Sequence, residues 1–89
     1  MTDQEAPKIE FPCEYPIKVV GPAAPDYKQF VIDVVEVHAP GIDVSKVEVQ
    51  ASRNGNYFSV RLTIIATGEQ QLKAIFEDLK ASGRVQMVL

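Results

Sequence analysis

The sequence predicts an α+β fold of the ferredoxin-like type, a βαββαβ sandwich with a four-stranded antiparallel sheet and two helices on one face. Three observations carry that expectation. From Tyr57 to Ala66 the even positions Phe58, Val60, Leu62, Ile64 and Ala66 are all apolar, while the odd positions are mostly polar or amphipathic; this is the period of a strand buried on one face. Asn54-Gly55 precedes that run and signals a tight hairpin turn. One stretch of helical periodicity falls on either side of the hairpin, as two right-handed crossovers require.

Taken in order, residues Met1 to Glu10 are polar and carry no period, so they read as a mobile tail ahead of a domain spanning 11–89. Phe11 breaks that composition and is expected to tuck against the domain. Tyr15 to Val20 reads as the first strand, with Ile17 and Val19 on one face and Lys18 and Val20 on the other. Pro16 is tolerable near a strand's start. Gly21-Pro22-Ala23-Ala24-Pro25-Asp26 is a turn cluster that launches a helix, with Pro25 and Asp26 suited to its first turn. Phe30, Val31, Val34, Val35 and Val37 recur at helical spacing opposite Lys28, Gln29, Asp33 and Glu36. The valines make this a poor helix by propensity, so packing must hold it. Pro40-Gly41 closes it.

Val44 to Ser52 alternates again and should pair through Asn54-Gly55 with the strand that follows. Thr67-Gly68-Glu69-Gln70 matches a capping box, and Leu72, Ile75, Phe76 and Leu79 form the stripe of a second helix. Ser82-Gly83 ends it. Arg84 to Leu89 is expected as a last strand, with Val85, Met87 and Leu89 on one side.

The bulk numbers bound the function. A chain of 89 residues with 46% hydrophobic content is one small domain, for which oligomerisation is an easy source of stability. A net charge of -3 argues against a dedicated nucleic-acid binder. The single cysteine, Cys13, allows no internal disulfide and no Cys-rich metal site and fits a reducing cytosol. No run of about 18 apolar residues suggests a membrane span, and the acidic-leaning start does not read as a signal peptide. The expected location is the cytoplasm.

Catalytic chemistry finds little support. Acylphosphatase-type hydrolysis needs an arginine in the loop after the first strand to hold phosphoryl oxygens, and Gly21 to Pro25 holds no basic residue. Metal-chaperone domains of this topology carry a Cys-x-x-Cys there, which Cys13 alone cannot supply. His38, the only histidine, reads as a helix-end residue complementing the last carbonyls. Asp33 with Glu36, or Glu77 with Asp78, are solvated helix-surface carboxylates. No motif implies a cofactor, and the expected class is non-enzymatic.

RNA recognition on the open sheet face is the alternative, since RNA-recognition domains share this topology. Here the third strand turns out one aromatic ring, Tyr57, and the first strand offers Lys18 and Val20 where a second ring is expected. A regulatory or interaction module fits better. Its candidate contact residues are Lys18, Tyr57, Ser59, Arg61 and Thr63 on the open face, with Val20, Ile65 and Val88 as apolar company. Gly21 joins them as a point where a small ligand's polar group can approach the backbone; its plainer role is to make the turn. The expected partners are a second copy or another protein, with a small-molecule effector.

Several stretches taken together resemble one family. Phe11-Pro12, Tyr15-Pro16-Ile17-Lys18-Val19-Val20-Gly21, His38-Ala39-Pro40-Gly41, Gly55-Asn56-Tyr57-Phe58-Ser59-Val60 and Val85-Gln86-Met87-Val88-Leu89 are similar to the YbeD-like family of small bacterial proteins. The resemblance covers Phe11 to Leu89. It implies a fold like that of ACT regulatory domains, a bacterial cytosolic setting and a link to lipoate metabolism, because family members are often encoded beside lipoate-attachment genes. It brings no catalytic residues.

Overall fold

The computed structural model describes residues 11–89, so the tail expected over 1–10 lies outside the described residues. Strand β1 (Cys13–Pro22) is followed by helix α1 (Tyr27–His38), a 3₁₀ turn (Val44–Lys46), strand β2 (Glu48–Ala51), strand β3 (Tyr57–Ala66), helix α2 (Glu69–Ala81) and strand β4 (Met87–Val88). The sheet order is β2-β3-β1-β4 and every pairing is antiparallel. This is the ferredoxin-like α+β fold that the element order predicts.

The centre of the sheet is a ten-residue ladder between β1 and β3, running from Cys13↔Ala66 to Pro22↔Tyr57. Its register sets two faces. Ile17, Val19, Val60, Leu62, Ile64 and Ala66 point to the helices and are buried, with Phe58 partly buried against them. The even row of β3 therefore faces the helices, as its period demands. Phe11 also packs against this core. β1 extends beyond the expected Tyr15–Val20 at both ends. Pro16 and Pro22 are tolerated because β4 pairs only with Val19 and Val20, leaving both prolines outside the doubly flanked part of the strand.

Four local expectations are corrected. In α1 the buried residues are Tyr27, Val31, Ile32 and Val35, while Val37 is 77% exposed. Two residues on from Val35 is about 200° around the helix, so Val37 cannot share its stripe. The second strand starts late: Asp43 Oδ1 accepts from the Ser45 backbone N–H at 3.1 Å and from Ser45 Oγ at 2.6 Å. This local alternative to the ladder holds Val44–Lys46 in a 3₁₀ turn.

The Thr67–Gln70 capping box does not form. The N-cap is Gly68 without a side-chain cap, and Gln71 reaches back instead, its Oε1 accepting from the Thr67 N–H at 2.8 Å. The last strand has the opposite parity to that expected. Val88 pairs with Val19 on the helix-facing side and packs on the core, while Met87 pairs with Val20 and is exposed. Val85 and Val88 are both half-buried, a spacing of three that no continuous strand produces. Gly83, at φ +77°, turns the chain here, and the Gln86 N–H joins the Val20 carbonyl at 2.7 Å, so regular pairing begins only at Met87.

Candidate functional site

Helices cover one side of the sheet; the other side carries the odd row of β3 and the even row of β1. Pairing sorts these into transverse rows: Glu14 with Ile65, Pro16 with Thr63, then Lys18, Arg61 and Glu48, then Met87, Val20, Ser59 and Gln50, and finally Pro22 with Tyr57. The expected open face exists. Ile65 is 55% exposed, Leu89 63% and Tyr57 41%, and Tyr57 is the one aromatic ring this face carries among the described residues.

The sequence-predicted residues do not form one cluster. Lys18, Arg61 and Thr63 meet in a shallow depression of about 340 Å³ that Pro16, Lys46, Glu48 and Leu89 also line. Ser59 sits one row away and Tyr57 two rows away. Tyr57 belongs to the hairpin end, where its N–H donates to Ser52 Oγ at 3.1 Å and its carbonyl accepts from the Ser52 N–H at 2.8 Å. Val88 leaves the face altogether, as its inward parity dictates.

Gly21 is a correction of a different kind. It is buried, and its open side is filled. A Cβ there would lie 2.1 Å from the Arg84 carbonyl oxygen and 2.2 Å from the Tyr27 hydroxyl. Tyr27 Oη donates to that same carbonyl at 3.0 Å, and burial pushes the Tyr27 hydroxyl above its ordinary titration range. The ligand approach expected at Gly21 is thus taken by the protein itself. Glycine is there because two other groups need its space.

Arg84 completes this corner, and sequence reasoning did not single it out. Its guanidinium grips Asp26 with Nη1 to Oδ2 at 3.0 Å and Nη2 to Oδ1 at 2.7 Å, the two-pronged geometry suited to arginine. It also lies 4.5 Å from the Phe30 ring centroid and 5.7 Å from that of Tyr27. The hydrogen bond from Arg84 holds the Asp26 carboxyl below its ordinary value. The clamp joins the first turn of α1 to the chain entering β4. Aromatics at Tyr27 and Phe30 after an acidic residue were the only signal, and the arginine is 58 residues away.

His38 binds across the helices, its Nε2 2.5 Å from Asp78 Oδ2, while Gln71 Nε2 donates to the His38 carbonyl at 2.9 Å. The helix-end reading holds as to place, but the partner is a carboxylate on α2. Among the described residues no group of three or more His, Cys, Asp or Glu side chains could hold a metal ion. No helix among them is long and apolar enough to cross a membrane.

A second depression of about 290 Å³ adjoins the first, sharing Lys46 and Thr63 with it. It runs between Ile65 and Glu14 on the sheet and the loop Ala39-Pro40-Gly41-Ile42. Lys46, Pro16 and Leu89 were missed as lining residues. The alternation of Val44 to Ser52 contains no local pattern that foretells Lys46 standing between two hollows.

Comparison with known proteins fits this geometry. Residues 6–89 match the family described as "Protein of unknown function (DUF493)". A UPF0250 protein of Hahella chejuensis is 52% identical over 91 residues, covering 100% of both chains. One from Azotobacter vinelandii is 54% identical over 89 residues, covering 99% of this chain and 97% of its own. Among solved structures, protein HP0495 from H. pylori superposes with a TM-score of 0.76 at 19% identity, covering 98% of this chain and 91% of its own. The ACT domain from GTP pyrophosphokinase of Chlorobium tepidum gives 0.66 at 17% identity, covering 85% and 94%. At these identities the structural likeness speaks to the fold alone.

Proposed function

We propose, from the fact that the chain belongs to the DUF493 family, that it is a non-enzymatic, ACT-like regulatory or protein-interaction module of the bacterial cytoplasm. It works through its uncovered sheet face, by association with a second copy or another protein, with a small-molecule effector shifting that association. The observation that carries this reading is the uneven covering of the sheet. Both helices lie on one side, and the other presents Ile65, Met87, Leu89 and Tyr57 to solvent beside Lys18 and Arg61. Apolar side chains gathered on one face support association, and the charges among them give such a contact orientation and selectivity.

The likeness to an ACT domain adds analogy: ACT-like domains often act at an interface between copies. The YbeD-like resemblance suggests lipoate metabolism as the setting. The test is light scattering over a range of concentrations, with capture of partners from native cytosol, for the wild type and a Tyr57→Ala/Arg61→Glu variant. The reading expects a species larger than a monomer, or a captured partner, that the variant loses. A wild type that stays monomeric and captures the same set as the variant refutes it.

A further inference from the structure

We infer that the two adjoining hollows on the open face form one binding groove for a small organic anion, with a carboxylate or phosphate head and an apolar body. This deepens the proposed function and rests on its reading of the open face as the working surface. The head end is the hollow where Lys18, Lys46 and Arg61 converge. Glu48 is the one acidic side chain set against these three cations, so the lining is positive on a chain whose net charge is -3. Among the described residues neither Lys18 nor Arg61 forms an ion pair. Lys46 has only a loose contact with Asp43, its Nζ 4.0 Å from Oδ2. Among the described residues that charge is therefore left largely without an ionic partner.

The body end is the adjoining hollow, where Pro40, Ile42 and Ile65 supply apolar surface. The Glu14 and Asp43 carboxylates at its border oppose entry of the anionic head, which leaves the head to the Lys18 and Arg61 end. Lys46 and Thr63 belong to both, so one molecule can lie along the sheet with its charge at one end. Each hollow is near the lower bound of small-ligand sites, roughly 300 Å³, which suits a compact metabolite. Lys18 and Arg61 are Cα partners across the central ladder, so their stems start from the stiffest part of the sheet and little ordering is needed on binding.

The experiment is a titration of the full chain, followed through its backbone amide NMR shifts, with hexanoate and hexyl phosphate as anions and hexanol and hexylammonium as controls. A fragment of this size is expected to bind at about 1 mM or weaker. Both anions should shift amides at Lys18, Arg61, Thr63 and Ile42 saturably, and the stronger of the two identifies the head group. Lys18→Gln and Arg61→Gln should each weaken binding about tenfold, and Glu48→Gln should strengthen it. The same spectra report whether each variant is folded. Absence of saturable shifts, shifts that hexanol reproduces, or affinity indifferent to all three substitutions overturns the proposal. Light scattering on the same samples separates the two readings: if no anion binds while Tyr57→Ala/Arg61→Glu still abolishes association, the ligand class falls and the sheet-face module stands.

Discussion

A single methyl group added at Gly21 has nowhere to go. Its Cβ would sit 2.1 Å from the Arg84 carbonyl oxygen, 2.2 Å from the Tyr27 hydroxyl and 2.8 Å from the Tyr27 Cζ. The first is backbone and the second belongs to a fully buried ring, so neither yields as a free side-chain end would. Overpacking of this kind costs about 1–3 kcal/mol, and separating Tyr27 from Arg84 adds about 1 kcal/mol. The lower conformational entropy of an unfolded alanine returns roughly 0.5–1 kcal/mol. The net expectation for Gly21→Ala is a loss of about 2 kcal/mol. A domain of this length holds roughly 4–13 kcal/mol in total, so the loss is large. With an m-value of about 1 kcal/mol/M in urea, the midpoint should fall by about 2 M. Gly68→Ala is the control, because nothing lies within 4 Å of its Cβ position and its φ of 173° is extended backbone. In a Tyr27→Phe background the added methyl meets one obstacle fewer, so the two substitutions together should cost about 1 kcal/mol less than their sum. A Gly21→Ala midpoint matching that of Gly68→Ala would show that the corner is not packed as described.

The remaining predictions concern helix face, strand parity and charge. Val35→Ala should cost about 2–3 kcal/mol, while Val37→Lys stays within about 0.5 kcal/mol of wild type; comparable losses in urea melts would contradict the orientation of α1. Likewise Val88→Asp should destabilise strongly and Met87→Asp little, and the reverse ranking would restore the parity read from sequence. Asp26 is held below its ordinary carboxylate value chiefly by the Arg84 hydrogen bond. Its folded-state pKa is depressed, so its stabilising contribution is fully present above the ordinary carboxylate range and drains away as pH falls through the folded value. The stability difference between wild type and Asp26→Asn should therefore be constant at neutral pH and shrink under acid. A difference that grows toward low pH has the wrong sign for this clamp.

What the sequence made legible follows from the range of the forces involved. The β3 alternation is a local pattern set by one face of burial, and the residues from Phe58 to Ala66 lie as that pattern demands. Asn54-Gly55 marks the hairpin end, though the turn is wider than two residues. The Gly55 N–H closes on the Ser52 carbonyl at 2.9 Å, and Gly55, unlike Asn54, takes a positive φ, of 74°. Where competition among short-range partners decides, the pattern misled: Asp43 with Ser45 outbid the ladder for Val44–Lys46, and Gln71 took the place given to Gln70. The parity of β4 depends on how Gly83 and Arg84 deliver the chain, which a strand of two residues cannot encode. The corner of Gly21, Tyr27 and Arg84 was hidden for another reason. Its members are separated by up to 63 positions, and nothing local marks Arg84 as the partner of Asp26. The open face itself was legible as a row, yet only the pairing register could show that Lys18 and Arg61 stand side by side while Tyr57 stands apart.

The unequal strand lengths carry a consequence for motion. β2 has four residues and β4 two, beside two central strands of ten. Only the middle of the β1–β3 ladder, around Val19, Val20, Ser59 and Val60, is flanked on both sides. In amide hydrogen exchange those positions should open only with global unfolding, while the short outer strands open by local fraying. The slow-exchanging stripe crosses the open face beside Lys18 and Arg61. An occupant of that face would touch ground that hardly moves, and the pliable parts would be the edges around it. Any signal passed on by this domain would then be carried at its margins, by the short strands and the turns that hold them.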